Sequence, residues 1–251
     1  MHLKLNHIAL PLTFAALAAC APDVGLTPSD RPMTPPAAAF DPDLSFFDGR
    51  TPGEEGGTTA WGQALQTVAK ARADMEMLQV PEALLRAASS VEGTRDGSSW
   101  RWPFSTTVDG DPYDGELRSS IIGEQYEWLL YVEAPDHSPP LTDYIWAQGR
   151  TGSGNFDGIW WLADAEAGTD TIAAAVSWAL NLENKVNFTF AASDTSGWQY
   201  EPSSNINVLT RVAFDQPRAR VTWNALTGEG STWVAGLTTA CWDEDLNDIV
   251  C

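Results

Sequence analysis

The chain has 251 residues, enough for one large or two small domains, and carries a formal charge of −20 from 34 acidic and 14 basic side chains. So few lysines and arginines argue against nucleic acid, whose phosphates must be neutralised by cations, and against anionic lipid headgroups. The acidic excess favours a soluble monomer.

At the N-terminus, Lys4 precedes the apolar run Ile8 to Ala19. The run is far shorter than the roughly 20 residues that span a bilayer. A short positive head, a short apolar run and small residues at its end describe a signal peptide over 1–19. Leu17-Ala18-Ala19-Cys20 resembles the lipobox of bacterial lipoproteins. The resemblance implies a diacylglycerol on the Cys20 thiol, cleavage before that residue and acylation of the new amino group. Several acyl chains hold a membrane far more firmly than one. Ala21 stands where inner-membrane lipoproteins carry an acidic residue, which favours the outer membrane. The expected location is therefore extracytoplasmic and lipid-anchored.

Residues 20–57 read as the lipidated cysteine and a tether, with prolines at 22, 28, 32, 35, 36, 42 and 52. Such a segment buries too little to offset its ordering entropy, and its flexible reach is on the order of 35 Å. Phe46 and Phe47 are the exception, apolar enough to dock on the domain over 58–251.

That domain begins with a helix over 58–79, capped by Thr58 or Thr59, with Trp61, Leu65, Val68, Arg72, Met75 and Leu78 at steps of three and four. Pro81 fits the first turn of a second, short helix. From Ser98 the pattern becomes alternation, as in Tyr126, Trp128, Leu130 and Val132, or Ile206, Val208, Thr210, Val212 and Phe214. The connections are too short for parallel crossovers. The expected fold is mainly β: a curved antiparallel meander or open barrel of about ten strands, with one or two N-terminal helices packed on it. The small face Ala173, Ala175 and Ala179 is the expected seat of a helix. This layout resembles the periplasmic carriers of lipoproteins, which hold acyl chains in a half-barrel. The resemblance implies an apolar ligand.

Three cysteines occur. In an oxidising compartment Cys241 and Cys251 are expected to form a disulfide, a closure worth about 2–3 kcal/mol in the chain-entropy model. The ending around them resembles that of secreted bacterial lipoproteins and implies no activity.

Few residues suit catalysis. After signal removal His137 is the single histidine, in the turn Pro135 to Pro140, so triad chemistry and zinc are poorly served. No cofactor is expected. Calcium needs only oxygen ligands, and Asp109, Asp111, Asp114 and Glu116 crowd one loop, as do Asp243, Glu244, Asp245 and Asp248. Glu116, Glu127, Glu133 and Asp157 offer carboxylate pairs for glycoside chemistry, as any acidic protein does. The unusual feature is 12 tryptophans, clustered in the expected strands. They serve as bulky core or as rings lining a groove. Trp160 and Trp161, which point to opposite faces, and Trp198 and Tyr200, in a loop over Ser193 to Ser204, are the candidate ligand residues. The expected function is a non-catalytic binding or structural lipoprotein holding an apolar molecule. The alternative is a carbohydrate-binding or carbohydrate-acting protein.

Overall fold

The structure, a computed structural model, describes residues 31–49, 58–192 and 196–251. The expected signal and Cys20 lie outside them. Helix α1 runs over Ala60–Asp74 and α2 over Gln79–Ser89, joined by a 3-10 turn at Glu76–Leu78. The Thr59 hydroxyl accepts from the Gly62 amide at 3.0 Å and caps α1. Pro81 sits in the first turn of α2, where a missing amide hydrogen costs nothing.

Among the described residues fourteen strands follow: β1 Thr94–Asp96, β2 Ser99–Val108, β3 Asp111–Ile122, β4 Gln125–Ala134, β5 Leu141–Gly152, β6 Asp157–Ala163 and β7 Ile172–Leu180. The second half comprises β8 Val186–Ala192, β9 Ser196–Pro202, β10 Ile206–Ala213, β11 Gln216–Asn224, β12 Gly230–Val234, β13 Ala240–Trp242 and β14 Asp248–Ile249. All join one open antiparallel sheet in chain order. The count exceeds the expected ten for physical reasons. Strands β1, β13 and β14 have three residues or fewer, too few to show alternation. β9 carries Gly197 and Pro202 amid polar residues and so reads as a loop.

Fourteen strands laid flat would span roughly 60 Å. Yet α2 packs on β2 and β3 while α1, one tight turn away, packs on β11, β12 and β13. The sheet therefore curls around the helix pair, with one inner face. Trp102, Trp128, Trp160, Trp178, Phe188, Phe190, Trp198 and Trp223 are all buried in the core.

The large rings need room, and glycines on neighbouring strands supply it. Trp160 pairs with Gly149, Trp178 with Gly158, Phe104 with Gly115 and Trp242 with Gly230. A Cβ at Gly149 would lie 2.5 Å from the Trp160 ring, and one at Gly230 would lie 2.1 Å from that of Trp242. Each ring thus lies across bare backbone.

Residues 31–49, expected to be tether, instead pack against the sheet. Phe40 lies 5.8 Å from Trp160, and Phe47 lies 5.5 Å from Trp61 and 5.0 Å from Trp223. The docking expected of Phe46 and Phe47 extends to Ala39, Phe40 and Leu44, which are also buried. Their apolar area outweighs the ordering cost that the prolines suggested.

Two further expectations fail. The helices do not make their main contacts with β7, so its alanine face is not their seat. In β10 the buried residues include Asn207 and Leu209 rather than Ile206 and Val208. Apolar residues stand on both faces of that strand, and its pattern could not choose between them. The Cys241–Cys251 disulfide is present and ties the C-terminus to β13.

Gly149→Ala should lower stability by about 1–3 kcal/mol through overpacking, read by urea unfolding. Gly152→Ala, whose new Cβ would meet nothing closer than 3.4 Å, should be nearly neutral. Equal stability of the two variants would show that the Trp160 ring does not depend on Gly149.

Candidate functional site

Alternation of the meander sends successive turns to opposite ends of the sheet. The β2–β3, β4–β5 and β6–β7 turns share one end with the α1–α2 junction. There they enclose an open cleft of about 530 Å³, lined among others by Tyr113, His137, Trp146, Asp109, Asp164 and Glu166.

The floor is aromatic. The Trp146 ring lies 5.9 Å from Tyr113, 6.1 Å from His137 and 6.4 Å from Tyr144. Tyr113, Tyr144 and Trp146 are buried beneath the surface. His137 is held by its Nδ1 contact with the Pro139 carbonyl at 2.8 Å.

Asp74 and Glu76 from the helix junction join Asp109, Asp164 and Glu166 around this floor, and no lysine or arginine lines it. Asp164 accepts from the Ala167 amide at 3.0 Å, and Asp74 pairs with Lys70 at 2.9 Å. The resulting negative field acts on the tyrosines. Burial, then Asp164 and Asp170, push the Tyr144 phenol up to about 12. Burial, then Asp111 and Asp109, raise Tyr113.

The four sequence-derived ring candidates do not form a groove. Trp160, Trp198 and Tyr200 are core residues. Trp198 and Tyr200 belong to β9 rather than to an exposed loop. Trp198 donates to Asp74 at 3.1 Å, and the Tyr200 hydroxyl donates to the Asp43 carbonyl at 3.1 Å. Trp161 is half-buried, with the Arg150 guanidinium 5.9 Å from its ring centre.

The calcium candidates are also dispersed. Asp109 occupies the β2–β3 turn, Asp111 begins β3, Asp114 accepts from the Ser105 hydroxyl, and Glu116 pairs with Arg101 and Arg118. Asp243 is spent on the amides of Asp245 and Asn247, and Asp248 on that of Ala60. Among the described residues no group of three or more His, Cys, Asp or Glu is placed to hold a metal. Of the carboxylates considered for glycoside chemistry, Glu127 faces Arg150, and Glu133 accepts from the Asp143 amide and stands opposite Asp114 across β3 and β4.

Sequence reasoning missed the cleft because its parts lie on four separate segments. The available signal was the recurrence of acids in alternate turns.

Because the folded Tyr144 holds its proton above the ordinary phenol range, the unfolded chain releases it first as pH rises. That contribution to stability is complete below about pH 10 and is lost by about pH 12. Urea unfolding at pH 9 and pH 11.5 should show this decline, and Tyr144→Phe should flatten it partly, since Tyr113 and Tyr200 are raised as well. An unchanged slope in the variant would refute the assignment.

No family model, curated protein or solved structure matches this chain.

Proposed function

We propose that the chain is an exported, lipid-anchored, non-catalytic binding protein whose recognition surface is the cleft at the α1–α2 junction, and that this cleft takes a positively charged organic group. The observation that carries the reading is a ring-floored hollow edged by carboxylates and lined by no lysine or arginine. Aromatic faces attract ammonium groups, by about 0.5–1 kcal/mol at exposed sites and more where water is excluded. Nearby carboxylates add long-range attraction that salt screens.

Tetramethylammonium should quench or shift the tryptophan emission, and added salt should weaken the response. Asp109→Asn and Glu166→Gln remove charge at exposed positions and should each weaken binding by about two- to fivefold. A salt-independent response, or none, removes the cation reading. The anchor has its own check: Cys20→Ser should abolish fatty-acid labelling, and continued labelling would remove the acylation site from Cys20.

An apolar ligand on the inner face is the second reading. There Phe40, Phe46 and Phe47 cover Trp160 and Trp223, and the indole N–H groups of Trp160, Trp178 and Trp223 are buried without a partner. An oxygen-bearing apolar molecule that displaced the phenylalanines would satisfy such donors.

A further inference from the structure

The end of the sheet opposite the cleft has a different surface. It holds the β13–β14 turn, with Asp243, Glu244 and Asp245; the turns β3–β4, β5–β6, β7–β8, β9–β10 and β11–β12, at the same end, differ from it. Each of these five places a large apolar side chain in water at or beside its tip. Ile122 is 51% exposed, Phe156 64%, Leu182 100%, Ile206 40% and Leu226 76%. Alternate turns of a sheet stand about 10 Å apart, so the five recur along one end of the sheet, with polar groups between them, such as Glu183 accepting from the Ser204 hydroxyl between Leu182 and Ile206. Large exposed apolar patches on soluble proteins mark interaction surfaces.

The opposite end lacks this regularity. Its first two turns carry Asp109, Asp111 and Asp136 and no large exposed apolar side chain; at the third, Asp164, Glu166 and Asp170 stand beside Ile172, which is 54% exposed, and Phe214 and Leu237 are exposed later.

The chain also enters the described domain at the apolar rim. The Asn155 side chain, in the β5–β6 turn, donates to the Met33 carbonyl, and Met33 itself is 68% exposed. Arg31, two residues earlier, pairs with Glu92. Ten residues separate Cys20 from Arg31. Whatever path they take, acyl chains on Cys20 sit no more than about 40 Å from Arg31.

We propose that this rim, formed by Met33, Ile122, Phe156, Leu182, Ile206 and Leu226, rests in the surface of the bilayer that holds the Cys20 acyl chains. The proposal builds on the lipid-anchored reading above. The chain's net charge of −20 repels anionic headgroups, so the contact is apolar and suits zwitterionic lipid. Such side chains sink about 5–10 Å, to the boundary between headgroups and acyl chains. The cleft at the far end then faces away from the membrane.

The test uses the mature chain purified from membranes and reconstituted in phosphatidylcholine vesicles doped with nitroxide-labelled phosphatidylcholine. Cys20 is acylated and the other two cysteines are joined, so Leu182→Cys and Phe214→Cys each offer one thiol for an environment-sensitive fluorophore. The label at 182 should shift to shorter wavelength and lose most of its emission to the nitroxide, while the label at 214 keeps both. Equal emission and quenching at the two positions in vesicle-bound protein would overturn the proposal. A parallel arm separates rim from anchor: unacylated chain beginning at residue 20, with Cys20→Ser, is floated with phosphatidylcholine vesicles. Flotation that is lost in Phe156→Asp/Leu182→Asp/Leu226→Asp, with unchanged melting temperature, supports the rim even if mass spectrometry finds no acyl group on the native chain. Flotation that survives the triple substitution, or that never occurs, counts against the rim even where acylation is found.

Discussion

Trp102, Trp160, Trp178 and Trp242 lie against glycines of adjacent chain segments, and the inner face of the sheet depends on that arrangement. An indole set across bare backbone gains contact over a full ring face. It also leaves space above for the next layer. The contacts at Gly93, Gly149, Gly158 and Gly230 are too close for any side chain there. The many tryptophans and the strand glycines are therefore one device, distributed from β2 to β13. It gives a thin curled sheet an interior of aromatic rings with little loss to voids.

That interior is then closed by the chain itself. Helices α1 and α2 reach the two wings of the sheet, and the segment over 31–49 lays Phe40, Phe46 and Phe47 onto the rings between them. The segment is held by polar contacts as well. Arg72 of α1 donates to the Leu44 carbonyl at 2.9 Å and pairs with Asp48, while Tyr200 donates to the Asp43 carbonyl. Ligand chemistry inside the sheet thus competes with intramolecular contacts, whereas the cleft at the α1–α2 junction is already open.

The meander gives the molecule two unlike ends. Antiparallel order sends every second turn to the same edge, so residues far apart in sequence collect by parity. Acids and the buried rings of Tyr113, Tyr144 and Trp146 meet at the cleft, and exposed Ile122, Phe156, Leu182, Ile206 and Leu226 recur in the turns of the other end. In the proposed arrangement the apolar end meets lipid and the acidic end meets solvent, as the electrostatics of an acidic protein near headgroups would favour.

The sequence alone determined the class of the fold: short connections demanded antiparallel order, and the alternation in β4, with Tyr126, Trp128, Leu130 and Val132, named its buried face correctly. It also determined the start of the first helix, the choice of a threonine cap and the Cys241–Cys251 pair, because capping and loop closure are local; the helix ends at Asp74, short of the expected 79. Tertiary structure decided the rest. Whether residues 31–49 trail or dock depends on an apolar surface that exists only after the sheet has curled. The face of β10, the burial of Trp198 and Tyr200 and the assembly of the cleft depend on register and curvature. These arise from contacts between strands far apart in the chain, and no local pattern records them.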